Sequence, residues 1–153
     1  MVLLLVSVLL FNAVAYKINK KLTKNQVVHI WVFTIILVTW ADIYIDDKTS
    51  GYWYFDPGID WGNFVVYTLL IPPVNIIFLN GYPFKASWFI KLSYIILWMI
   101  LITIYELIAL LPEPWGFFHY GWWHLSYSIV CDPVLLMILL SYYKWIRHIE
   151  KND

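Results

Sequence analysis

The feature that most constrains this chain is the run LSYIILWMILITIYELIALL at residues 92–111, twenty residues with a single charge, Glu106. At about 1.5 Å per residue it covers roughly 30 Å, the thickness of a bilayer's hydrocarbon core. It reads as a transmembrane helix with a carboxyl inside it. Such a group is costly in hydrocarbon, so it must be neutral, paired or facing water, and it marks a candidate functional site.

Composition extends this reading to the whole chain. Hydrophobic residues make up 62% and charged residues 13%, whereas a soluble domain is about half apolar and about a quarter charged. With 153 residues there is no room for a membrane bundle plus a separate soluble domain. Zero net charge without a long basic tract argues against nucleic acid as a partner. Cys131 is the single cysteine, which excludes an intrachain disulfide and any CxxC motif. In its apolar surroundings it reads as a packing residue.

The expected architecture is an all-α membrane protein, one domain of five transmembrane helices at about 2–16, 27–45, 64–80, 92–111 and 125–143. The first run is short and resembles a signal-peptide core. However, no positive charge precedes it, and Lys17, Lys20, Lys21 and Lys24 follow at once. That order is the reverse of a secretory signal, so an uncleaved helix is expected. The third helix contains Pro72-Pro73 and should kink or break there, because two backbone donors are missing. Asn75 is placed to satisfy the freed carbonyls or to line a cavity through the break.

Orientation follows from the basic residues. With the N-terminus outside and the C-terminus inside, nine of the ten Lys and Arg residues lie on the inner side, and only Lys48 lies outside. The outer loops at residues 50–63 and 112–124 are rich in Trp, Tyr and Phe, as befits the headgroup region.

Three acids then share the outer third of the membrane. Glu106 lies about 8 Å below the outer boundary, Asp132 about 10 Å and Asp42 about 6 Å, counted at 1.5 Å per residue. His124, Ser128 and Asp132 form one stripe at spacings of four. Thr39, Asp42 and Asp46 share a face of the second helix, and Thr103, Glu106 and Glu113 a face of the fourth. The expected site is an outward-facing acidic pocket built from Glu106, Asp132, Asp42, Ser128, His124 and Asn75, with His119 above it. No HExxH or comparable spaced ligand pair occurs, so no metal or other cofactor is expected. A Ser-His-Asp triad is rejected, because Ser128 lies between His124 and Asp132 and the histidine cannot bridge the other two.

These features support binding or conduction of a cation, a proton or a small polar ligand. Two alternatives belong to other classes: a structural or regulatory subunit of a membrane complex, and a lipid- or isoprenoid-modifying enzyme with Glu106 as general acid. The expected partners are membrane lipid and a further copy of the chain or a larger membrane complex. His29 reads as interfacial and His148 as solvated in the basic tail.

From Ala41 onward the segments ADIYIDDKTSGYWYFDPGIDW, IPPVNIIFLNGYPFK, Tyr105-Glu106 and GWWHLSYS carry a resemblance. They resemble a family of small integral membrane proteins from spore-forming Bacillus and Clostridium relatives. That resemblance implies a multi-pass protein of a bacterial cell membrane and assigns no catalytic residue. A fainter similarity is to the lycopene cyclase domain, with Asp42, then Trp53 and Tyr54, then Pro72-Pro73 in similar order. Val74 and Asn75 stand where that domain carries paired carboxylates, so this chain departs from it at the groups that would handle protons.

Overall fold

The computed structural model describes residues 1–57 and 61–152, without the side chain of Asp47. Gly58, Ile59 and Asp60 of the first aromatic loop, and Asp153, lie outside the described residues. The described residues form five helices: α1 (Val2–Ile18), α2 (Lys24–Asp42), α3 (Trp61–Gly81), α4 (Trp88–Ala109) and α5 (Leu125–Asn152). The last four are long and apolar enough to cross a membrane, whereas α1 has 17 residues and is shorter. The observed α4 begins and ends earlier than its apolar run, and α5 continues nine residues past the expected end at Tyr143. Hydropathy marks where lipid ends, but a helix keeps its own hydrogen bonds and can continue into the polar zone.

The helices alternate in direction, and one end of the bundle is tied by polar side chains. Asn80, at the end of α3, accepts from the N–H groups of Lys20 and Lys21 at 3.1 and 3.2 Å. Its amide donates to Asn19 Oδ1 and to the Ile76 carbonyl. Thr23 and Gln26 form a capping box at the start of α2. Asn25 Nδ2 and Gln26 Nε2 both donate to the carboxylate of Glu150 near the end of α5. Lys48 stands near the opposite end, its ammonium over the ring of Tyr44.

α3 is the most enclosed helix. Of its most apolar stretch 44% is buried, against 6% for α4. It packs against α1 and α2, while α5 packs against α2 and α4. Ile76, Phe78 and Leu79 meet Ile30 of α2 and Leu139 and Tyr143 of α5 in one core. A second core toward the other end joins Leu4, Val66, Leu70 and Ala109 to aromatic residues of the loops.

The expected break at Pro72-Pro73 is not a break. The chain stays helical from Trp61 to Gly81, with a π-helical turn at Val66–Leu70 immediately before the prolines. In an unbroken α-helix residues 72 and 73 would donate to the carbonyls of Thr68 and Leu69, and proline has no N–H to give. Neighbouring helices supply both donors. Trp31 Nε1 donates to the Thr68 oxygen at 3.0 Å, and Asn12 Nδ2 to the Leu69 oxygen at 2.8 Å. The other hydrogen of the Asn12 amide goes to the Val8 carbonyl. Asn75, expected in this role, instead donates to Thr34 Oγ1 at 2.9 Å and ties α3 to α2.

A further departure from a purely helical fold is a two-stranded antiparallel ribbon. β1 (Tyr52–Tyr54) and β2 (Phe118–Tyr120) come from the two aromatic loops and pair Tyr52 with Tyr120, Trp53 with His119 and Tyr54 with Phe118. Aromatic residues suit a pleated, half-buried surface, and Gly51 and Gly121 mark one end of the ribbon. A Cβ on Gly121 would lie 2.1 Å from the Ser50 carbonyl oxygen. Only glycine permits this approach, which lets Gly121 N–H reach the Gly51 carbonyl at 2.8 Å. Ser50 (φ 51°) and Phe55 (φ 53°), both in the left-handed region, turn the chain into and out of β1.

Replacing Asn12 by Ala or Trp31 by Phe strands a carbonyl in hydrocarbon. Each substitution is expected to cost roughly 1 kcal/mol of stability, read as a lower midpoint of SDS-induced unfolding in mixed micelles. An unchanged midpoint for the double variant would show that the carbonyls do not depend on these donors.

Candidate functional site

The inner face of the ribbon lies on the bundle through Tyr52, Tyr54, Phe118 and Tyr120, since side chains two apart share a face. Tyr52 and Tyr120, directly opposite one another, each donate to an acid on a different helix. The Tyr52 hydroxyl donates to Asp42 Oδ1 at the end of α2. The Tyr120 hydroxyl donates to Glu106 Oε1 of α4 at 2.5 Å. Ser128 Oγ of α5 donates to the same Glu106 oxygen at 2.6 Å, and Trp123 Nε1 donates to Ser128 Oγ at 2.9 Å. The Trp123 ring meets Tyr52 edge-on at 5.6 Å. One polar layer therefore runs from Asp42 through Tyr52, Trp123 and Ser128 to Glu106 and Tyr120, and it links three helices and both strands.

Glu106 takes two hydroxyl donors on one oxygen, which hold its carboxyl in place and away from lipid. Asp132 lies one helical turn beyond Ser128 on α5. It is within electrostatic range of Glu106. Its Oδ2 is buried and has no hydrogen-bond partner among the described residues. Pro133 follows, so the carbonyl of Ile129 lacks its helical donor. Asp42 is only 3% exposed, beneath the ribbon.

The ribbon tyrosines respond to these acids. Burial pushes the Tyr52 phenol well above the usual tyrosine range, and the Asp42 carboxylate adds to the effect. Tyr54 is raised in the same way, by burial first and then by Asp42. Tyr120 is raised by burial and by its hydrogen bond to Glu106. The raised phenols keep Tyr52 and Tyr120 in the neutral form that donates to Asp42 and Glu106.

Of the six residues expected at the site, Glu106 and Ser128 are joined directly. Asp42 belongs to the same layer through Tyr52 and Trp123, and Asp132 lies one turn deeper. His124 is exposed at the start of α5 beside the ring of Tyr127, outside the network. Asn75 sits among the helices at Thr34. His119 is on the outer face of the ribbon, stacked with Trp53. Tyr52, Tyr120 and Trp123 were not anticipated. The only sequence signal for them is the aromatic triplet beside a glycine in each loop, Gly51-Tyr52-Trp53-Tyr54 and Phe118-His119-Tyr120-Gly121.

The folded protein holds the Tyr120 and Tyr52 protons more tightly than the unfolded chain does. Their stabilisation is complete below the ordinary tyrosine pKa of about 10 and declines as pH rises above it. Alkaline unfolding followed by tyrosinate absorbance should show these phenols ionising last. In Glu106→Gln, Tyr120 should ionise earlier. An identical titration for wild type and variant would contradict the Tyr120–Glu106 contact.

Comparison of the chain with known protein families, characterised proteins and solved structures finds no match, so the geometry of this layer carries the functional reading.

Proposed function

We propose that this chain is a multi-pass protein of the bacterial cell membrane, N-terminus outside and C-terminus inside. In this reading it binds or conducts a proton or a cation at the layer beneath the ribbon. The observation that carries it is the buried Oδ2 of Asp132, without a hydrogen-bond partner among the described residues and one turn from Ser128, which is bonded to Glu106. A buried carboxyl oxygen without a donor is costly, and a proton or a cation removes that cost. Two carboxyls and the Ile129 carbonyl are all-oxygen donors, which suit a hard cation. The tyrosine and serine hydroxyls hold Glu106 in place, and the aromatic ribbon separates the layer from the outer solution.

A second reading, as a subunit of a larger membrane assembly, draws on α4. Ala109 is its only buried residue, so most of this helix is free to meet lipid or another chain. The mass of the purified particle in detergent separates the two readings, because an obligate subunit requires a partner or a further copy.

The test is flux in liposomes containing the full chain, with an internal pH dye and imposed gradients of H⁺, Na⁺, K⁺ and Ca²⁺. Wild type is expected to pass or bind one of these ions. Asp132→Asn and Glu106→Gln should abolish the signal while retaining the fold, and His124→Ala should leave it intact. Wild-type liposomes that neither bind nor pass any of the four ions would overturn the proposal, as would variants equal to wild type.

A further inference from the structure

The end of the bundle opposite the ribbon carries a feature that the acidic layer does not use. α5 has 28 residues, about 42 Å of helix against roughly 30 Å of hydrocarbon, so its last turns project beyond the apolar zone. On that projection Lys144, Arg147, His148 and Lys151 recur at spacings of three, one and three and lie on one face. They line an open groove of about 250 Å³.

Three observations give the groove its chemistry. Its positive charge is not cancelled by Glu150, which is turned toward α2 and accepts from Asn25 and Gln26. Arg147 is held in place, its guanidinium carbon 5.5 Å from the Phe84 ring and 5.6 Å from the Tyr143 ring. Such stacking orders an arginine before its ligand arrives and leaves its planar fork free for a phosphate. The third observation is depth. At this end Tyr16, Trp88 and Trp145 are 88%, 72% and 58% exposed, the positions of an aromatic belt at headgroup level. The groove begins one residue beyond the apolar run, next to Trp145.

We infer that this groove binds the phosphodiester of an anionic phospholipid in the adjacent leaflet, with Arg147 as the bidentate ligand and Lys144 and Lys151 flanking it. The position of the groove against the belt favours a membrane lipid over a soluble phosphate.

The experiment uses the full chain in nanodiscs of phosphatidylcholine with a minor fraction of phosphatidylglycerol. Mass spectrometry then measures the lipids retained after transfer to detergent. Wild type is expected to retain phosphatidylglycerol preferentially. The Lys144→Gln/Lys151→Gln variant leaves Arg147 between its rings, and its preference should fall roughly fivefold for each charge removed. Arg147→Gln should also lower it, and Lys48→Gln at the far end should not. An unchanged preference in Lys144→Gln/Lys151→Gln would overturn the inference. Displacement of the lipid by millimolar inorganic phosphate would reassign the groove to a soluble anion and overturn it equally.

Discussion

In hydrocarbon no water is available to satisfy a backbone group, and the arrangement of this bundle depends on that constraint. Two adjacent prolines in its most enclosed helix free the carbonyls of Thr68 and Leu69. The donors that replace the missing N–H groups are side chains of α2 and α1. The defect created by Pro72-Pro73 thus fixes which faces of α1 and α2 turn toward α3. The π-helical turn before the prolines widens the helix locally and accommodates the rings without a break. Asn75 and Thr34 add a second polar tie between α2 and α3 one turn further on.

The same constraint shapes the acidic layer. Asp42, Glu106 and Asp132 come from three helices, and none could stay in lipid without partners. The ribbon supplies those partners from above, through two tyrosines that its register places side by side. Ser128 and Trp123 connect the two halves of the layer. Asp132 Oδ2 has no hydrogen-bond partner among the described residues, and the proton or cation reading rests on that oxygen. At the opposite end the bundle presents basic side chains, with Arg147 already ordered by aromatic rings. The molecule is therefore polarised along its axis, acids under one aromatic cover and bases beside the other belt.

Much of this was legible in the chain itself. The number of helices, their approximate centres and the presence of Glu106, Asp132 and Asp42 within apolar runs all follow from apolar run length and helical spacing. The errors share one cause. Helix ends at Trp88 and Asn152 were missed because a change in hydropathy is not a change in backbone hydrogen bonding. The break at Pro72-Pro73 was expected because a sequence shows the donors that proline removes and not the ones that Asn12 and Trp31 bring from other helices. Of the expected stripe His124, Ser128 and Asp132, the last two share the fifth helix, whereas His124 is exposed and precedes its first residue, Leu125.

What the sequence by itself determined is the solvent and the inventory: the chain carries apolar runs long enough to cross a membrane, and three of its ten acids, Asp42, Glu106 and Asp132, fall inside them. These are local properties, set by the cost of each residue in hydrocarbon. What only the tertiary structure decided is pairing. Tyr52 and Tyr120 are 68 residues apart in the chain, and they become partners of Asp42 and Glu106 only when two loops from different parts of the chain hydrogen-bond as a ribbon. Strand register, and the approach of one helix's side chain to another's free carbonyl, depend on contacts between distant segments, and no local pattern of residues encodes them.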